Sequence, residues 1–256
     1  MTTETSTTEM VKEITSLKQP KEWGIGPSEI TLTRPDGSNI SLLFSHYIRT
    51  ENILHSNKDQ DDITYDFPAD GDFNLILYAK EENNSIPLGA ASIGVENGTP
   101  IVTMIQRIKS RKRRDPSPPN PNSLIKINAT YDGVPHPKQD LLQGDNKIDW
   151  QQVLLDKCET IAKSQGYNRL RLRSGFVSKY VACGHNLPLA VQQYDCLVKN
   201  DKNWAPINEQ NQQITNPEQE LNRVIRRIRD KKIKTIDEVK LQYPNLQIPA
   251  CWEKNI

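Results

Sequence analysis

Tyr194 is an ionisable phenol set among the apolar positions of a predicted helix. It follows Ala190 and Val191 on the inner stripe of a segment that Pro188 opens as a helix, and Leu197 and Val198 continue that stripe. A phenol held beside a leaving group can hand it a proton, provided the two come within about 3 Å. The same spacing also describes an aromatic ring that simply fills a core. A second candidate is the stretch Gln143, Gly144, Asp145, Asn146, Lys147, which runs into a helix start. Free N–H groups at a helix N-terminus hold phosphate oxygens, and Lys147 would add a formal charge. An ordinary capped helix entrance is the other reading of that stretch. Cys183 and His185 stand too close in sequence to orient for a shared proton, and His136 with His185 lacks the paired short spacing of zinc ligands, so no metal site is expected.

Basic residues gather in two places. Arg111, Lys112, Arg113 and Arg114 form one block, and Arg226 and Arg227 belong to a second near the C-terminal end. Local clustering of this kind can attract nucleic acid or an acidic protein even though the net charge is only +1. Arg169, Arg171 and Arg173 would add a third stripe or, alternatively, pair with carboxylates. Aromatic residues are not interleaved with these charges, as base stacking would require.

The elements that must position these groups are clearest between Asn146 and Asn200. Trp150, Val153, Leu154, Ile161 and Ala162 recur at helical spacing, Asp149 with Gln152 makes a capping box, and Gly166 supplies the stop. Asn168 to Ser174 then alternates, with Leu170 and Leu172 on one side and the three arginines on the other, which predicts a strand. The Pro188 helix completes a helix, strand, helix unit.

That unit, preceded by a run of strands, resembles the GCN5-related N-acetyltransferase superfamily over roughly residues 29–204. The resemblance lies in "LLDKCETIAKSQGYNRLRLRS" and "NLPLAVQQYDCLV", where Ala190 is followed four residues later by Tyr194. Asn186 falls one residue earlier than the family's asparagine, and the loop before Trp150 carries one glycine where the family's phosphate motif carries two. The resemblance implies an α/β core with a mixed sheet, binding of acetyl-CoA or another acyl-CoA, and acyl transfer to an amine. Gln143, Gly144, Asn146 and Lys147 would then hold the cofactor's pyrophosphate, and Tyr194 would protonate the departing thiolate. The thioester would lie between a strand near Leu124 and the segment starting at Trp150. A core of the same shape without turnover, contacting nucleic acid or an acidic protein through its basic segments, is the alternative. The acceptor amine and the oligomeric state are not legible.

The remaining chain reads as strands and connections. "EITLTR" and "NISLLF" flank Pro35 to Ser38 as a hairpin, a helix is expected around Ile48 to His55, and Phe73–Lys80, Pro87–Val95 and Thr99–Ile108 form a meander turning at Asn97 and Gly98. Residues 1–22 read as a flexible tail, 23–204 as the α/β domain, 109–122 as an exposed basic and proline-rich loop with no packed element, 205–216 as a polar linker, and 217–256 as a basic helical extension. No counterpart of the superfamily's final pair of strands is evident in that extension. Leu221, Val224, Ile225 and Ile228 give its first helix an apolar stripe, and Thr235 with Glu238 caps the next. No apolar run approaches the ~20 residues of a spanning helix. The cysteines, Cys158, Cys183, Cys196 and Cys251, show no metal-finger spacing and are expected to be reduced in a cytoplasmic setting.

Overall fold

The computed structural model describes residues 23–48, 55–56, 63–66, 71–80, 85–113, 131–145, 147–178, 186–214 and 218–256. The expectations placed on residues 1–22, on most of the helix between Ile48 and His55, on Arg114 and the prolines after it, on the strand at Leu124, on Asn146, and on Cys183 with His185 lie outside these residues.

Two tight turns start the main sheet. β1 (Ser28–Thr33) and β2 (Asn39–Ile48) pair antiparallel from Thr33 opposite Asn39. Between them Asp36 Oδ1 accepts from the Ser38 amide at 2.9 Å, while Gly37 takes φ +82°. β2 runs through Ile48, so the helix expected from that residue begins as strand. β5 (Phe73–Lys80), β6 (Ser85–Glu96) and β7 (Thr99–Arg107) follow as a meander. Asn97 and Gly98 both adopt positive φ, 51° and 73°, which is the two-residue turn whose twist matches an antiparallel pair.

The large sheet has eight strands in the order β1-β2-β5-β6-β7-β10-β12-β11, where β10 is Arg169–Arg173, β11 is Trp204–Ile207 and β12 is Cys251–Asn255. All of its neighbouring strands run antiparallel except β7 and β10. Among the described residues the parallel partner of β10 is β7. A parallel pair needs a long crossover, and α2 (Trp150–Ser164) supplies it, lying across β5, β6, β7 and β10. Of the stripe the sequence predicts for α2, Leu154, Ile161 and Ala162 are buried and Trp150 and Val153 half-buried, and Leu155 and Cys158 join the buried face. Trp150 packs on Gly89 of β6 so closely that a Cβ there would lie 2.6 Å from its ring.

A second, four-stranded sheet has the order β3-β4-β8-β9, from His55–Ser56, Ile63–Asp66, Lys109–Arg113 and Tyr131–Gly133. This corrects the expectation of an unpacked loop from residue 109: the basic segment Lys109–Arg113 is a strand, paired on both sides. Strand β5 is buried on both faces because it separates two cores. Leu75 and Leu77 join the main core with α2, whereas Ile76 packs with Ala90, Ile108 and Tyr65 under the small sheet.

The C-terminal end is also reorganised relative to expectation. Residues 205–207 are strand and not linker, and the two helices after them, α5 (Glu218–Arg229) and α6 (Ile236–Gln242), are inserted between β11 and β12. A final pair of strands is thus present, with β12 between β10 and β11. The order has a local reason. β11 contains Pro206, which lacks a ladder donor and suits an edge, whereas "CWEKN" can pair on both sides. The predicted apolar stripe of α5 is buried, and α5 packs against α3 (Leu187–Gln193). Residues 217–256 consequently complete the sheet and core and do not form an extension.

Gly175 is where the sheet and α3 touch. A Cβ on it would lie 2.4 Å from the Ala190 carbonyl carbon and 2.6 Å from the Val191 nitrogen, both backbone atoms that cannot rotate aside. Gly175→Ala should cost about 2 kcal/mol or more in urea unfolding, the scale of overpacking strain. A change below about 0.5 kcal/mol would show that α3 is free to move away.

Candidate functional site

The parallel ladder between β7 and β10 is short. Its register contains Arg171 opposite Ile101 and Leu172 opposite Val102. β7 continues to Arg107, but β10 stops at Arg173, and the Ser174 amide donates to Ala250 O at 3.0 Å, on the side away from β7. The chain then makes a 3-10 turn at Gly175–Val177. Because the two strands part here, α3 comes to lie beside the end of β7, and Leu189 and Gln193 line a cleft of about 390 Å³ together with Gln106 and Arg107. Lys109, Ser110, Gly133 and Val134 of the small sheet and its edge form the remaining wall. In open sheets with parallel strands, the crevice beyond the strands' carboxyl ends is where ligands characteristically bind.

Three further contacts hold the walls. Gln151 Nε2, in the first turn of α2, donates to Gln193 O at 3.4 Å and ties the crossover helix to α3. Ser110 Oγ donates to Val134 O at 3.1 Å, and the Val134 amide donates to Ser110 O. His136 is buried, and its Nδ1 accepts from the Lys138 amide at 3.1 Å, so the proton sits on Nε2 and is donated to Pro87 O at 2.8 Å. Burial holds its pKa below the usual imidazole value; the Pro87 bond opposes this, and nearby Arg107 adds to it. His136 is therefore a neutral clamp fastening the cleft wall to β6. Among the described residues no group of three or more His, Cys, Asp or Glu could hold a metal ion.

Tyr194 follows Gln193 in the chain but is not among the residues that line this cleft. It is 2% exposed and belongs to the main core. The helix predicted to run through it is interrupted there: α3 ends at Gln193 and α4 (Asp195–Val198) begins after it. Both amphipathic pieces keep the expected inner positions, with Ala190, Val191 and Val198 buried.

The loop residues proposed for pyrophosphate are arranged differently. Gln143, Gly144 and Lys147 are exposed, and none of them lines the cleft. Gly144 has φ +93°, and the loop closes on itself through the Lys147 amide to Gly144 O and the Ile148 amide to Leu141 O. At the start of α2, Asp149 Oδ1 accepts from the Gln152 amide at 3.3 Å. That carboxylate occupies a donor which an anion would otherwise take, and it brings the wrong charge.

The basic candidates separate onto different elements. Arg111, Lys112 and Arg113 belong to β8 of the small sheet, whereas Arg226 and Arg227 are on α5. Arg226 is exposed, but Arg227 Nη1 donates to the Tyr243 hydroxyl at 3.0 Å. The strand arginines are paired, as one of the two sequence readings has it. Arg171 Nε meets Glu253 at 2.7 Å and its Nη1 meets Asn211 at 2.8 Å, Arg169 is 3.7 Å from Glu253, and Arg173 pairs with Glu96.

The sequence reading missed Asp195. Its carboxylate is fully buried and accepts from Ser174 Oγ at 2.6 Å, the Gly175 amide at 2.8 Å and Trp252 Nε1 at 2.7 Å. The one signal available was an acid set within the apolar run after Tyr194. Burial pushes its pKa up to about 6, although the three donors pull the other way. A carboxyl raised above its unfolded value of 3.8 favours the fold below that value, and the advantage is lost as pH rises to about 6. The stability of the native protein relative to Asp195→Asn should therefore fall between pH 4 and pH 7, by on the order of 3 kcal/mol. Urea unfolding of both proteins at the two pH values measures this; a constant difference would mean that the donors fully offset burial.

Comparison of the chain with protein-family models, with curated proteins and with solved structures finds no match in any of the three.

Proposed function

We propose that the protein is an acyl-CoA-dependent N-acyltransferase with a GCN5-related N-acetyltransferase-like core, whose thioester arm enters the cleft where β7 and β10 part. The observation that carries this reading is the early end of the parallel ladder, with α3 lining the opening and the crossover helix α2 tied to α3 through Gln151 and Gln193. Strand, crossover helix, strand, helix and a terminal strand pair occur in the order the sequence resemblance implies. The transfer itself needs little beyond positioning. An amine held against the thioester carbonyl attacks it, the C–N bond forms as the C–S bond breaks, and the amine's proton leaves to water at the mouth of the cleft. For the departing thiolate to take the Tyr194 hydroxyl proton, as the resemblance implies, the thioester arm must reach past the residues lining the cleft to the core position that Tyr194 occupies.

A second reading keeps the core without turnover and has it bind nucleic acid or an acidic protein. Two observations favour it: Asp149 occupies the start of α2, and Arg223, Arg226 and Arg229 stand exposed on α5. The two readings separate in one pair of titrations. Calorimetry with acetyl-CoA should give a Kd near micromolar, about −8 kcal/mol, under the transferase reading. Tyr194→Phe should then retain that affinity while turnover on a primary-amine panel drops about tenfold or more. Absence of acetyl-CoA binding, together with binding of short RNA or DNA that weakens steeply with salt, would replace the first reading by the second.

A further inference from the structure

Cations in the large sheet are almost all matched. Arg169 and Arg171 meet Glu253, and Arg173 meets Glu96. Arg107, at the end of β7, is the exception: among the described residues it has no carboxylate partner, and neither does Lys109 two residues on. Both line the cleft, and among the described residues its lining holds no acidic side chain. Its remaining polar groups, on Gln106, Gln193 and Ser110, carry no charge. A guanidinium and an ammonium left unpaired on the wall of a concave site leave that site positive, and an arginine can bind two phosphate oxygens at once. The walls are also fixed by the Ser110 to Val134 bonds and by the neutral His136 clamp, so little ordering would accompany binding.

We infer that Arg107 and Lys109 form an anion site in this cleft that takes the diphosphate of the nucleotide thioester, in place of the loop Gln143 to Lys147 and the start of α2. The identity of the ligand rests on the transferase reading above, whereas the anion site itself does not. The placement resolves the difficulty posed by Asp149, because the phosphates need not approach a helix end that already holds a carboxylate.

The experiment uses the full chain, its Arg107→Gln, Lys109→Gln and Lys147→Gln variants, and three probes: acetyl-CoA, S-acetylpantetheine, which lacks the diphosphate, and inorganic pyrophosphate. Thermal unfolding checks that each variant is folded. The expected result is that Arg107→Gln and Lys109→Gln each weaken acetyl-CoA about tenfold or more and abolish pyrophosphate binding. Lys147→Gln should change neither, and S-acetylpantetheine should bind all four proteins alike. Acetyl-CoA binding that survives both cleft variants but is lost in Lys147→Gln would overturn the inference and leave the transferase reading standing. Pyrophosphate binding that depends on Arg107, without any acetyl-CoA binding, would keep the anion site and remove the transferase reading. Pyrophosphate binding indifferent to Arg107 and Lys109, or absent, would remove the site.

Discussion

The arrangement depends on one buried carboxylate. Asp195 opens α4, Ser174 and Gly175 end β10, and Trp252 lies in β12, and all three donors converge on its two oxygens. Burying an acid costs several kcal/mol unless its lone pairs are used. Here hydroxyl, amide and indole N–H supply three bonds, so the fold recovers much of that cost only when all three elements are in place together. The effect is to fix where β10 stops. Ser174 is drawn toward β12 and Asp195, and β7 is left to continue without it. The opening between the strands follows from a polar constraint on the far side of β10 and not from any feature of β7.

Around that opening the chain adds material that a bare sheet lacks. β7 passes through Ile108 directly into β8, so the strand that borders the cleft also begins the small sheet. Ile108 fills the seam, with its amide bonded to Leu88 O at 3.1 Å and its side chain against Tyr65, Ile76 and Ala90. The cleft is thereby walled by backbone already paired on one side, and its chemical character is left to a few side chains. Among the described residues no thiol lines it. Cys158, Cys196 and Cys251 are free, and burial raises all three pKa values, that of Cys251 to about 11, so they are poor nucleophiles.

Local signals in the sequence were legible wherever the residue type dictates backbone geometry. Asn97 with Gly98, Asp36 with Gly37, Asp149 before α2 and Gly166 after it each mark a boundary that the structure keeps. Alternation located β10, and the apolar stripes of α2 and α5 point inward as their spacing requires. Long-range pairing was not legible in the same way. Lys109–Arg113 reads as a solvated charge run because its partners, Ile63–Asp66 and Tyr131–Gly133, lie far away in the chain. β12 is five residues of mixed polarity whose burial comes only from its neighbours, and nothing in "CWEKN" announces an interior strand. The cleft was not legible: Tyr194 is buried in the main core at a break between two helices, and the cleft is lined by Arg107 and Lys109 instead of Gln143 to Lys147. Unpaired charge is a property of three-dimensional neighbourhoods, and no spacing rule reports it.

The position of β12 bears on how such a chain assembles. Arg171 and Glu253, which pair across β10 and β12, are 82 positions apart. Contacts this distant close slowly, because the entropy of the intervening loop is lost before the pairing gives anything back. During synthesis β10 therefore waits with one bare edge until the segment at Cys251 emerges from the ribosome, and β11 has no ladder partner until then. Pro206 on β11 and the arginines on β10, still without Glu253, make those waiting edges poor templates for a stranger's strand, so the same residues that order the finished sheet also guard the unfinished one.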